Sequence, residues 1–133
     1  MRYYNDLLGM FTDGEKMLTL HFSVRECRCK CNRKECDAPP MDKKFMAALQ
    51  RLRHKFGKSM PVSSASRCSY WNTAVGGSPR SLHLLGKACD IRFDSIEDRE
   101  ILAKLAEDMG FGGIGKALTF LHIDDGPKRS WTY

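Results

Sequence analysis

His83, Asp90 and His122 are the residues whose types and spacing could hold a catalytic metal. The first two lie in Ser81-Leu82-His83-Leu84-Leu85-Gly86-Lys87-Ala88-Cys89-Asp90. Seven positions apart, they would fall on opposite faces of one continuous strand. The chain must therefore turn between them, and Gly86 supplies the turn. From Lys87 to Phe93 the residues alternate, with Cys89, Ile91 and Phe93 on an apolar face and Ala88, Asp90 and Arg92 on the other. The pattern recurs in Phe120-Leu121-His122-Ile123-Asp124, where His122 and Asp124 share the polar face. Two such strands side by side would bring His83, Asp90 and His122 together. Three N/O donors with an open fourth position suit hydrolytic zinc, whereas structural zinc is usually enclosed by Cys or His. The His-to-Asp spacing is weak evidence alone, because such pairs arise by chance.

The elements that must position these residues are legible in part. Met17 to Phe22 reads as a short strand, and Ser23-Val24-Arg25-Glu26 as a capping box that opens a helical turn. Pro39-Pro40 precedes an amphipathic helix over 41–56, with Met41, Phe45, Met46, Leu49, Leu52 and Phe56 at helical spacing and Gly57 after its end. His54 on this helix reads as solvated surface. Met60 to Ser64 reads as a strand leading to Arg67, followed by a loop that carries Tyr70, Trp71 and Asn72 and then Gly76-Gly77-Ser78-Pro79. That loop suits substrate recognition, although Trp71 could equally be core. Ser95-Ile96-Glu97-Asp98 caps a second helix with an apolar stripe of Ile101, Leu102, Leu105, Ala106 and Met109, stopped by Gly110. Phe111-Gly112-Gly113-Ile114-Gly115 reads as a glycine-rich bend and lacks the ending of a phosphate loop.

Four blocks in order carry a family resemblance: Ser64-Ala65-Ser66-Arg67; Asn72 to Ser78; Ser81-x-His83-x-x-Gly86-x-Ala88-x-Asp90; and Phe120-Leu121-His122-Ile123-Asp124-x-Gly126-Pro127-x-Arg129-x-Trp131. The chain resembles the zinc D-Ala-D-Ala carboxypeptidase and murein endopeptidase family, which includes bacterial cell-wall enzymes and phage endolysins, over about residues 20 to 133. The resemblance implies an α+β fold of the hedgehog/D-Ala-D-Ala peptidase type, in which a small, mostly antiparallel sheet carries one catalytic zinc between two amphipathic helices. It implies His83, Asp90 and His122 as ligands, and Arg67 as the contact to the substrate's carbonyl or carboxylate. Ser81, Tyr70 and Asn72 are the candidate substrate-binding residues. Several branches carry Glu or Asp three residues before the last His, whereas this chain has Thr119, which cannot act as a base. Asp124 could be the base, could orient a ligand, or could itself be the third ligand with His122 as acid/base. The activity implied is hydrolysis of an amide in a peptidoglycan stem peptide or cross-link. The alternative is a non-catalytic zinc-bearing interaction domain, as related folds in signalling proteins are.

Cys27, Cys29, Cys31 and Cys36 cluster within a basic run that also holds Arg25, Arg28, Lys30, Arg33 and Lys34. These thiols could stay unpaired, form disulfides after release into an oxidising space, or hold a second, structural zinc, though the spacing does not match a common zinc knuckle. With 133 residues the chain suits one domain, expected over 17–133 after an extension over 1–16 with a turn at Asp13-Gly14. Its formal charge of +6 favours anionic partners, among which wall polymers and stem-peptide carboxylates rank with nucleic acid. A specific nucleic-acid module is disfavoured, because no aromatic residue is interleaved with Lys and Arg between Cys27 and Cys36. The N-terminal residues lack an apolar signal region, and no stretch is long enough to span a membrane. The expectation is a monomer made in a bacterial cytoplasm that reaches the wall after release by another protein or as part of a virion.

Overall fold

A computed structural model describes residues 2–5, 10–13 and 16–133. Two strands, β1 (Arg2–Asn5) and β2 (Met10–Asp13), pair antiparallel with each other. The turn expected at Asp13-Gly14 falls partly outside the described residues. Over residues 17 to 22 the chain bends instead of forming a strand. Leu18 and Thr19 both donate their N–H to the Phe22 carbonyl, and a single bridge joins Met17 to Ser23. The capping box forms as expected, with Glu26 N–H on Ser23 Oγ and Ser23 N–H on Glu26 Oε1, and it opens the one-turn helix α1 (Val24–Cys27).

Residues 28–42 contain no helix or strand. Asp42 then caps α2 (Lys43–Phe56) by accepting from the Phe45 N–H, so this helix starts two residues later than its apolar pattern, which includes Met41. Ser95 caps α4 (Ile96–Asp108) in the same way. Between them lie β3 (Val62–Ser64), the short helix α3 (Ser69–Ala74), one 3-10 turn (Leu82–Leu85) and β4 (Ala88–Ile91). After α4 come β5 (Gly113–Lys116), β6 (Leu121–Asp124) and β7 (Arg129–Thr132).

Two of these elements correct the sequence reading. The segment carrying Tyr70, Trp71 and Asn72 is α3 and not a loop; its N-cap is Cys68, whose sulfur accepts from the Trp71 N–H. The glycine-rich stretch bends only at Gly112 and from Gly113 onward is the strand β5.

The five-stranded sheet has the order β3-β4-β6-β5-β7, antiparallel except for the parallel β5–β7 pair. One face is apolar: Cys89 and Ile91 of β4, Ile114 of β5, and Leu121 and Ile123 of β6 are all buried. They join one core with Phe45, Met46, Leu49 and Leu52 of α2 and Leu102, Ala103 and Ala106 of α4. The two amphipathic helices therefore cover one side of the sheet, and the chemistry is left to the other. The β3–β4 register shifts between Val62, opposite Ile91, and Ser64, opposite Asp90. This bulge redirects the chain as it leaves β3.

Gly86 makes the turn required between His83 and Asp90, with φ of 70° in the left-handed region. A Cβ there would lie 2.2 Å from the Pro40 carbonyl oxygen. Gly86 also accepts the Asp42 N–H at 2.9 Å, which ties the irregular 28–42 segment to the turn. Gly86→Ala is expected to cost more than the about 1–2 kcal/mol that left-handed backbone costs an L-residue, because the Pro40 backbone must also move. Urea denaturation checks this, and a loss below about 1 kcal/mol would show that Pro40 is free to step aside.

Candidate metal centre

The polar face of the sheet is organised as two rows that run across the strands. Pairing aligns Ser64, Asp90, His122, Gly115 and Trp131 in one row, and Ala88, Asp124, Gly113 and Arg129 in the next. In both rows the β5 position is glycine, and the reason is room. A Cβ on Gly115 would sit 2.5 Å from the Trp131 ring, and one on Gly113 would sit 2.2 Å from Asp124 Oδ1. Without those two side chains, β7 reaches over β5 to β6. Trp131 packs on His122 with ring centroids 5.2 Å apart, and Arg129 grips both oxygens of Asp124 at 2.9 and 2.7 Å.

His83 enters from the 3-10 turn, where Ser81 Oγ accepts the His83 N–H. Its imidazole is buried. Nδ1 lies 2.6 Å from the Ala65 carbonyl oxygen, which can only accept, so Nδ1 carries the proton and Nε2 presents a lone pair. Nε2 is 3.3 Å from Asp90 Oδ1, yet it has no hydrogen-bond partner. On the other side of the same oxygen, His122 Nδ1 is 3.1 Å from Asp90 Oδ1, while its Nε2 meets Asp124 Oδ2 at 2.7 Å.

This arrangement fits zinc. His83 Nε2, Asp90 and His122 Nδ1 all lie within 4.8 Å of one another. Metal–ligand distances near 2.1 Å imply a tetrahedral edge of ~3.4 Å, close to the 3.1 and 3.3 Å separations around Asp90 Oδ1. A buried nitrogen lone pair with no partner costs free energy unless something fills it, and a cation at this point does so. The electrostatics agree. Burial raises the Asp90 carboxyl, but the neighbouring His122 and His83 rings outweigh it and hold the group well below its usual range. Burial lowers His122, but Asp124 and Asp90 outweigh that and hold the imidazole above its usual value. The site is thus a field that favours positive charge.

Arg67 lies beside Asp90. Its Nη2 donates to Asp90 Oδ2 at 3.1 Å, Nε to Ser64 Oγ and Nη1 to Asn72 Oδ1. Asp124 is fully buried, and four donors take its two oxygens: His122 and Arg129 on Oδ2, Gly126 N–H and Arg129 on Oδ1. Burial raises its carboxyl, but the bonds from His122 and Arg129 outweigh this and hold it well below the usual range.

The face opens as a cleft of about 470 Å³ lined by His83, Asp90 and His122 together with Arg67, Arg80, Arg129 and Trp131. Ser81 also lines it. Asn72 does not: it is buried, and its amide bridges Arg67 to the Ser78 carbonyl. Tyr70 lies elsewhere too, with its ring under the Arg33 guanidinium at 4.0 Å. Arg129 and Trp131 stand in the fourth block of the resemblance without an assigned role, and Tyr133 lies outside it; their i, i+2, i+4 spacing is the mark of one strand face, and all three line the cleft. The cysteines are regrouped. Cys27 is buried in the apolar core, and Cys68 takes its place beside Cys29, Cys31 and Cys36.

Residues 20–124 match the family described as Peptidase M15. The chain belongs to this family of zinc metallopeptidases, and its α+β architecture is that of such a peptidase. No curated protein matches the chain.

Because Asp124 holds the His122 ring, Asp124→Asn is expected to weaken zinc binding about 10- to 100-fold, the usual cost of losing a group that orients a metal ligand. Zinc titration against a competing chelator measures it. Unchanged affinity combined with lost turnover would instead mark Asp124 as the base.

Proposed function

We propose that this chain is a peptidoglycan peptidase that hydrolyses an amide of the stem peptide or of the cross-link between stems, and that it serves a phage or prophage as an endolysin or wall hydrolase. What carries the reading is the His83–Asp90–His122 set opening onto an arginine-rich cleft in a Peptidase M15 chain. Stem peptides present carboxylates, and the cleft offers cations to meet them.

Zinc held by His83, Asp90 and His122 would supply Lewis acidity, activating a water molecule and polarising the scissile carbonyl. The chain's own residues supply placement and charge. Ala65 and Asp124 fix the two imidazoles from behind, so that one proton stays on His83 Nδ1 and one on His122 Nε2. Arg67 uses three of its five N–H groups on Ser64, Asn72 and Asp90. Arg67 lines the cleft, and the two that remain are left to meet the growing negative charge on the carbonyl oxygen, where a fixed donor stabilises the transition state more than the ground state. Arg80, whose guanidinium has no carboxylate partner among the described residues, takes a substrate carboxylate at the cleft edge. Asp124 positions His122 instead of accepting the proton, because a carboxylate has about four lone-pair sites and all four are engaged.

One observation favours a second reading, a non-catalytic zinc-bearing interaction domain. Thr119 stands where several family branches place an acid, and among the described cleft residues the only carboxylates, Asp90 and Asp124, are both engaged. Among the described residues no helix is long and apolar enough to cross a membrane. The enzyme, acting as a monomer, would reach the wall through a pore made by another protein or aboard a virion.

Mass spectrometry of soluble fragments released from purified peptidoglycan separates the two readings and identifies the bond cut. Released muropeptides are expected, with loss on chelation and recovery on added zinc. His83→Ala is expected to lower turnover by at least about 100-fold, the scale set by losing one electrostatic stabiliser; full activity in this variant would sink the metal assignment. Stoichiometric zinc with no fragment released would favour the interaction domain. Arg80→Ala is expected to raise KM with little change in kcat, as loss of uniform binding does.

A further inference from the structure

We infer that Cys29, Cys31, Cys36 and Cys68 form a second metal site, a tetrathiolate that holds a structural zinc and fastens the irregular 28–42 segment to the Arg67 side of the catalytic face. The four sulfurs come from two segments far apart in sequence, yet all lie within 4.8 Å of one another. Zinc–sulfur bonds of about 2.3 Å imply a tetrahedral edge of ~3.8 Å, and the Cys29 and Cys68 sulfurs are 3.6 Å apart. All four cysteines are free thiols. A small inward movement of the group would complete a closed tetrahedron, the geometry of structural zinc and unlike the three-ligand site on the sheet.

Apolar packing does not explain the gathering. Cys36 is exposed and Cys29 and Cys31 are half-buried, whereas the thiol that serves the core, Cys27, stands apart. The backbone around the sulfurs is shaped to support thiolates. Asn32, the single non-glycine residue with positive φ among the described residues, turns the chain directly after Cys31, and Arg33 N–H then donates to Cys31 Sγ at 3.4 Å. Cys68 N–H donates to Cys29 Sγ and Trp71 N–H to Cys68 Sγ, also at 3.4 Å. Such N–H···S bonds orient ligands and lower the cost of negative sulfur. Four thiolates around one zinc carry a net charge of −2, and Arg28 and Arg33 line the same hollow. Placing Cys68 in the set also accounts for a spacing that the local cluster could not: Cys27 is excluded, and the fourth ligand comes from the N-cap of α3.

The site's work is mechanical. Residues 28–42 have no helix or strand to hold them, yet Pro39 accepts from Ser66 Oγ and Asp42 donates to Gly86. Ser66 precedes Arg67, and Gly86 ends the turn that carries His83. A zinc bond between Cys68 and the 28–42 segment locks both neighbours of the catalytic face at once. The four thiols release protons on binding, and the metal's binding energy becomes folding energy for this segment.

The test uses zinc and cobalt alone, on protein purified under reductant. Elemental analysis is expected to give two zinc per wild-type chain, and one in the His83→Ala/His122→Ala variant. After cobalt exchange that variant is expected to keep the intense thiolate-to-cobalt charge-transfer absorption in the near ultraviolet. Cys31→Ser/Cys36→Ser is expected to lose that absorption and one metal, and Cys27→Ala to lose neither. Absence of the absorption from the wild type, or its loss in Cys27→Ala with retention in Cys31→Ser/Cys36→Ser, would overturn the site. Should the double serine variant not fold, the wild-type and Cys27→Ala spectra decide the matter alone. Because the readout is metal content and not turnover, a wrong substrate assignment leaves it untouched.

Discussion

A carboxylate buried in the middle of a sheet is the constraint on which the rest of the molecule depends. Ionised Asp90 is costly to remove from water unless donors or a cation offset its charge. Here His83, His122 and Arg67 approach it from a 3-10 turn, a neighbouring strand and the chain beyond β3. Each approach has its own support: the Ala65 carbonyl behind His83, Asp124 behind His122, Ser64 and Asn72 behind Arg67. The sheet, the turn and α3 are thereby held to one another through polar contacts on one face, while the helices hold them through apolar contacts on the other. The two faces answer different needs, since the apolar side supplies stability and the polar side supplies a geometry that a cation can complete.

Much of this could be read before any coordinates, and for physical reasons. Alternation in Lys87 to Phe93 and Phe120 to Asp124 separates the two faces of a strand without ambiguity, so β4 and β6 and their outward His and Asp were legible. The capping of α1 and α4 rests on side-chain hydrogen bonds local to a few residues, and these also read directly. What did not read was whatever depends on a partner across the sheet. Gly113 and Gly115 carry little strand propensity of their own. They sit in a strand because side chains from β7 must cross above them, and nothing near them in sequence says so. The short helix α3 was hidden because its cap is a cysteine, not the usual Ser, Thr, Asp or Asn.

The cysteines illustrate the same limit. Cys27, Cys29 and Cys31 look equivalent in a list of spacings, yet α1 turns Cys27 into the core and leaves the next two outside. The residue that joins them, Cys68, is brought there by the chain beyond β3, because Ser66 N–H bonds to the Cys27 carbonyl and Cys68 N–H to Cys29 Sγ. Local pattern groups residues by sequence distance, whereas the fold groups them by which strand ends meet.

The register shift on β3 shows how little chain stands between an assembled face and a dismantled one. Past Val62 the extra residue rephases the strand, so that Ser64 lies opposite Asp90 and Ala65 turns its carbonyl toward His83. A single deletion there would restore even pairing and remove the bend that carries the chain from β3 to Ala65 and Arg67, although no ligand had been altered. Drift of loop lengths elsewhere is tolerable in this architecture; drift in those three residues is not, and length at β3 is therefore as much a signature of a working centre as the imidazoles themselves.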